Sequence, residues 1–228
     1  MRQKSRHTKI KPVLWLLSLL LVIPMTYGLI NTKSTAEPSA QPIQTMGQRG
    51  DKMNQSSEQV QPCTAIPIDS EIEVDISEQK LYLYCRYAGG KEERKIYPVS
   101  TSKYGIGSQA GSNKTPLGQH RIEKKFGEGA PEGMIFKARR STGQIAEMDA
   151  PGAGDLVTTR IMWLKGLEPG ENSGRGRDSY KRYIYIHGTA EEKKIGEKAS
   201  HGCIRMNNRD VIELFDRVTE GAEVNIKR

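Results

Sequence analysis

Apolar and polar residues alternate along Ile72-Glu73-Val74-Asp75-Ile76, and again along Lys80-Leu81-Tyr82-Leu83-Tyr84 after a Ser-Glu-Gln turn. Alternation with a period of two places every second side chain on one face, so this pair predicts a β-hairpin with one buried side. Further strands are predicted over 96–100, 120–126, 134–138, 159–164, 182–187 and 222–226, separated by glycine-rich loops. The period changes once. Val211, Ile212, Leu214, Phe215 and Val218 recur at helical spacing and predict a helix over 208–219. Asn207 with Asp210 three residues on resembles a capping pair, and Gly221 stands as the stop signal. The pattern is that of a mostly β domain with one helix.

Two N-terminal stretches break the pattern. Basic residues up to Lys11 precede an uninterrupted apolar run over 13–23, which continues past Pro24 to about residue 30. The run suits the apolar core of a signal peptide, while the full 13–30 span approaches the roughly 20 residues that cross a bilayer. Residues 1–31 are therefore an expected export signal or membrane anchor. The basic flank puts the N-terminus in the cytoplasm and the chain beyond residue 31 outside it, in the periplasm or cell envelope. Residues 32–67 are rich in Ser, Thr, Gln and Pro with few bulky apolar side chains, so they are expected to be a flexible linker. Residues 68–228 have the length of one domain with an ordinary core.

A formal net charge of +8 raises the question of nucleic-acid binding. Arg2, Lys4, Arg6, Lys9, Lys11 and Lys33 carry six of those charges in a leader without acidic residues. The rest of the chain is nearly neutral, so no nucleic-acid partner is expected and the leader's basic flank is assigned to the inner membrane.

The candidate chemistry lies in His187-Gly188-Thr189 and Ser200-His201-Gly202-Cys203-Ile204-Arg205-Met206. A cysteine is readily made a strong nucleophile near neutral pH, and histidine is the usual base. Cys203 lies a few residues before the predicted helix, whose N-terminal dipole would favour thiolate. The N–H groups of the helix start, Gly202 and Cys203 are candidate oxyanion donors. Three other readings use the same residues. His187, His201 and Cys203 would make three zinc ligands, although no close-spaced finger-type pair accompanies them. A sortase-like site also needs Cys, His and Arg, but with the Arg on a separate strand. A non-enzymatic wall-binding module would need neither Cys203 nor His187.

His187-Gly188-Thr189, with Cys203 sixteen positions beyond His187 inside Ser-His-Gly-Cys-Ile-Arg, resembles the signature of the L,D-transpeptidase (YkuD-like) family of bacterial peptidoglycan enzymes. Ile72-Glu73-Val74-Asp75-Ile76, Lys80-Leu81-Tyr82-Leu83, Tyr97-Pro98-Val99-Ser100-Thr101 and Thr115-Pro116-Leu117-Gly118 extend the similarity over about residues 68–227. The resemblance implies a β-sandwich or barrel-like domain with a short helix after the catalytic cysteine. It implies a cysteine transpeptidase acting on peptidoglycan stem peptides, with no cofactor and no metal. Cys203 would be the nucleophile, and His187 the base and later acid, oriented by the Gly188 carbonyl. His201 would be a second partner beside the thiol, Ser200 and Gly202 loop supports, and Arg205 a binder of a substrate carboxylate. An amine acceptor gives a 3-3 cross-link, water a carboxypeptidase, and a D-amino acid exchange. Tyr104, Gly105, Thr115 and Gly118 are expected to shape loops, and the stretch 127–176 is long enough to contain a lid. Cys63 and Cys85 are a candidate disulfide in an oxidising compartment, two free thiols being the alternative.

Overall fold

The alternating hairpin forms as β1 (Asp69–Asp75) and β2 (Lys80–Arg86), paired antiparallel with Ile72 opposite Leu83 and Val74 opposite Leu81. Those four side chains are completely buried. Asp75 closes the turn by accepting the N–H groups of Ser77 and Glu78 at 2.9 and 3.0 Å. The structure, a computed structural model, describes residues 67–228. The export segment expected over 1–31, the linker as far as residue 66, and Cys63 lie outside the described residues. Cys85 is a free thiol buried on β2. Among the described residues no helix is long and apolar enough to cross a membrane.

The remaining strands are β3 (Glu92–Pro98), β4 (Gly118–Phe126), β5 (Met134–Lys137), β6 (Arg140–Ile145), β7 (Val157–Gly166), β8 (Tyr185–Gly188), β9 (Ile204–Met206) and β10 (Glu223–Lys227). The hydrogen-bonded path runs β3-β2-β1-β10-β4-β7, and β7 then pairs with β8 and β8 with β9. Ser100, just past β3, exchanges both backbone hydrogen bonds with Arg205 of β9, at 2.9 and 2.8 Å. That bridge returns the path to its start, so the mostly β fold is barrel-like and encloses one main core. The β5–β6 hairpin branches off β7 and stays outside the ring.

The helix α1 (Asn208–Arg217) buries Val211, Leu214 and Phe215 in that core. It ends two residues earlier than its periodicity predicts. Lys125 Nζ donates to the carbonyls of Phe215 and Val218, both at 2.6 Å, meeting the last turn with a cation from β4. The expected capping pair is different in kind. Asn207 Nδ2 donates to Asp210 at 2.9 Å, without a side-chain bond to the helix backbone, while the Asn208 N–H is taken by Glu192 at 2.7 Å.

Candidate active site

β8 and β9 run parallel, with Ile186 opposite Ile204, His187 opposite Arg205 and Gly188 opposite Met206. Successive strand residues point to opposite faces. Ile186, Ile204 and Met206 enter the main core with Ile184. The other face carries Tyr185, His187, Arg205 and, one residue before β9, Cys203. Cys203 packs against a second apolar cluster of Phe136, Ile161, Trp163 and Tyr185. A sixteen-residue separation in sequence becomes neighbouring strands in space. The Cys203 sulfur accepts the Tyr185 N–H at 3.4 Å, and its S–H donates to the Tyr183 carbonyl at 3.4 Å.

The loop before Cys203 is held from within and from outside. Ser200 Oγ donates to the Cys203 carbonyl at 2.6 Å and accepts the Gly202 N–H at 3.2 Å. Gly202 therefore does not offer its N–H to an oxyanion as expected, because Ser200 already holds it. Its φ of +125° and the Lys114 carbonyl, 3.3 Å from where a Cβ would stand, call for glycine. Thr115 Oγ1 donates to the Gly202 carbonyl at 3.1 Å and accepts the Ser102 N–H at 3.0 Å. The Thr-Pro-Leu-Gly turn thus braces the cysteine loop.

His187 is buried, and its Nδ1 lies 2.7 Å from the Gly188 carbonyl oxygen. A carbonyl only accepts, so Nδ1 carries the hydrogen and Nε2 of the neutral ring has the free lone pair. Gly188 admits no side chain, since a Cβ would stand 2.5 Å from Asn208 Oδ1 and 2.9 Å from the Thr158 carbonyl. Asn208, also buried, accepts Thr158 Oγ1 at 2.6 Å and donates to the Thr189 carbonyl at 2.9 Å. It ties the His-Gly-Thr segment to β7 and to the helix start, a role absent from its sequence context.

Burial holds the His187 imidazole below its ordinary value, against the Asp155 carboxylate and the Gly188 carbonyl, which raise it. Burial also pushes the Cys203 thiol up to about 12; the Tyr185 N–H, Arg182 and Arg205 act against the rise, and Asp155 adds to it. The resting pair at neutral pH is a thiol and a neutral imidazole. The helix N-terminus does not stand at the thiol, contrary to the activation by its dipole expected from the sequence. β9 intervenes between Cys203 and the helix, and the four residues to Asn207 span about 13 Å of extended chain.

Asp155 and Glu191 complete the site. Asp155 Oδ2 accepts the His201 backbone N–H at 3.1 Å and lies 2.7 Å from His201 Nδ1. Its Oδ1 accepts from Arg205 Nη1 at 3.1 Å, and Glu191 accepts from the same nitrogen at 2.8 Å. Burial would raise Asp155, but His187, His201 and Arg205 outweigh it and hold the carboxyl below its ordinary range. His201, expected beside the thiol, is tied to Asp155 and stands 5.7 Å from the Tyr104 ring. Arg205, expected to meet a substrate carboxylate, is completely buried between two carboxylates of this chain. The signal for these partners was Arg205 itself, because a guanidinium inside a buried strand requires counter-ions. Among the described residues, no three His, Cys, Asp or Glu side chains are grouped to hold a metal ion.

Residues 69–226 match the family model YkuD, described as the L,D-transpeptidase catalytic domain. The chain is 28% identical over 156 residues to Probable L,D-transpeptidase YcfS of Escherichia coli (strain K12), covering 68% of this chain and 43% of that protein. It is 50% identical over 48 residues to YkuD of Bacillus subtilis (strain 168), covering 21% of this chain and 29% of the relative. The chain thus spans less than half the length of either relative. A solved structure of L,D-transpeptidase 3 from Mycobacterium tuberculosis in complex with a faropenem-derived adduct is similar at a TM-score of 0.44 and 16% identity. That similarity covers 70% of this chain and 60% of that one. With the family model covering most of its length, the chain belongs to the YkuD family of L,D-transpeptidase catalytic domains.

Proposed function

We propose that this protein is a cysteine L,D-transpeptidase acting on peptidoglycan stem peptides outside the cytoplasm. The observation that carries the proposal is the shared face of β8 and β9, which presents the Cys203 thiol and a His187 ring whose Nδ1 is fixed by Gly188. Nε2 of His187 takes the thiol proton as sulfur attacks the carbonyl of the third stem residue, a diamino acid such as diaminopimelate. The imidazolium returns that proton to the nitrogen of the departing D-alanine as the peptide bond breaks, leaving a thioester on Cys203. An amine of a neighbouring stem attacks the thioester, gives its proton to His187 and forms the 3-3 cross-link. Sulfur leaves and recovers the proton as a thiol. No nucleotide is consumed, because the thioester keeps the acyl group activated, which suits an exported enzyme. The basic flank and apolar 13–30 segment support that location, anchored to the inner membrane or released from it.

Incubation of the purified protein with disaccharide-tetrapeptide, followed by mass spectrometry, tests the reaction. Dimers lacking one D-alanine are the expected product. Tripeptide alone would assign a carboxypeptidase, and a changed fourth residue in the presence of a D-amino acid would assign exchange. The Cys203→Ala variant is expected to form none of these, and turnover by that variant would overturn the mechanism.

A further inference from the structure

Arg182 and Arg205 act on the thiol, and Arg139 bonds the hydroxyl of Tyr185, whose N–H meets the thiol; the three differ in what their donors already do. Arg205 is sealed from solvent against Asp155 and Glu191. Its Nε and Nη2 meet no acceptor among the described residues, but they are equally buried. Arg182 gives Nη2 to the Lys114 carbonyl at 2.6 Å and Nη1 to the Gly107 carbonyl at 3.3 Å, bracketing the loop behind Gly202. Arg139 is different. Among the described residues it makes one hydrogen bond, from Nη1 to the Tyr185 hydroxyl at 3.1 Å. Its guanidinium carbon lies 4.5 Å from the Trp163 ring centroid and 5.3 Å from that of Tyr183. A guanidinium has five N–H donors. An aromatic platform supports its flat face and leaves its edges to receive a carboxylate in bidentate fashion.

Its placement is built by the fold. Lys137 pairs with Arg140, so Ala138 and Arg139 are the two-residue turn of the β5–β6 hairpin. Both have left-handed backbone angles, φ of 48° and 66°. Such turns favour Asn and Gly, and two residues with a Cβ are kept there against a steric cost. β6 is exposed at every residue, and β5 meets β7 at two positions only. The contacts of Arg139 on Trp163, Tyr183 and Tyr185 therefore hold the tip of this hairpin on the aromatic cluster against which Cys203 packs.

Tyr185 sets the distance. Its N–H donates to Cys203 and its hydroxyl accepts from Arg139, so one tyrosine side chain separates the nucleophile from the guanidinium. The side chain of a diaminopimelate residue, measured from the α-carbon bearing the attacked carbonyl to its distal carboxylate, has a comparable reach.

We propose that Arg139 recognises the donor stem by binding the distal carboxylate of its third residue, the role that the buried Arg205 does not fill. The assignment rests on the transpeptidase reading above. It is a specificity role and not a step in the chemistry.

The test compares two tetrapeptide donors, one with diaminopimelate and one with the distal carboxylate amidated. The wild-type protein is expected to use the free-carboxylate donor about tenfold or more better in kcat/KM, the scale of one charge-assisted pair. Arg139→Gln is expected to abolish that preference by losing activity on the free donor while leaving the amidated donor within about twofold. Arg139→Lys is expected to restore part of it. Equal losses on both donors would show that Arg139 only fastens the hairpin, and a wild type indifferent to amidation would equally overturn the proposal. Calorimetric binding of both donors to Cys203→Ala, with and without Arg139→Gln, separates this proposal from the chemistry. A tenfold binding preference that disappears with Arg139 upholds recognition even if the wild type proves inert. Equal binding of the two donors overturns recognition even if cross-linking is observed.

Discussion

The two faces of the β8–β9 pair are built from alternate residues of the same short strands, and they do opposite work. Ile184, Ile186, Ile204 and Met206 lie in the main core, while Tyr185, His187, Cys203 and Arg205 meet hydrogen-bonding or charged partners. On the first face a residue is defined by its volume and its lack of polar atoms. On the second it is defined by which donor or acceptor it meets. A period of two therefore lets one strand pair carry stability and chemistry with little interference.

The largest separation is expected at adjacent positions on β8. His187→Ala should lower kcat by about 10²–10⁴-fold in the cross-linking assay, the range of a lost general base, with a comparatively small change in melting temperature. Its neighbour should behave in reverse. Ile186→Ala removes a completely buried side chain and should cost about 2–5 kcal/mol in urea unfolding, with turnover per folded molecule largely kept. A His187 variant that unfolds like the Ile186 variant would break the comparison.

A smaller effect is expected from the carboxylate that serves the polar face. Asp155→Asn leaves Glu191 on Arg205 and should destabilise by up to about 3 kcal/mol at neutral pH. A carboxyl held below its ordinary value stabilises above the unfolded-state pKa of about 3.9, and that contribution is lost as pH falls through the folded value. Thermal unfolding from pH 7 down to pH 3 should therefore narrow the gap between wild type and variant toward the acid end. A gap that stays constant would assign the loss to shape and not to charge.

The finest test concerns protonation. With the thiol pushed up to about 12, alkylation of Cys203 by iodoacetamide should keep accelerating past pH 9. A plateau between pH 7 and 8 would reveal a resting thiolate and refute the neutral pair. His187, held below its ordinary value, should correspondingly place the acid limb of kcat/KM below about pH 6.5.

Legibility in the sequence followed the same division. The β1–β2 hairpin and the helix were readable because burial of one face imposes a period on the residues themselves. β6 was not, since all six of its residues are exposed and nothing selects alternation. β9 was not either, because three residues are too few to show a period and sit inside the Cys-Ile-Arg block. The alternation predicts a strand through Arg182 and Tyr183, but they form a turn, in which the Asp178 side chain accepts the Tyr180 and Lys181 N–H groups. In the site, Cys203, His187 and the Gly188 carbonyl were legible through their motif. Asp155, Glu191 and the Tyr185 N–H were not, for they carry no pattern of their own.

By itself the sequence determined the mostly β class, the helix, the two blocks that hold thiol and imidazole, and the motifs of the family. These are local properties, written by backbone periodicity and by residues close together in the chain. Only the tertiary structure decided which cation meets which carboxylate. Asp155 and Arg205 stand fifty residues apart in sequence and 3.1 Å apart in space. It also withdrew the helix terminus from the thiol and brought the β5–β6 turn, with Arg139, to Tyr185 beside the thiol. Desolvation and Coulomb interaction depend on what packs nearby in three dimensions, and no period in the chain records that.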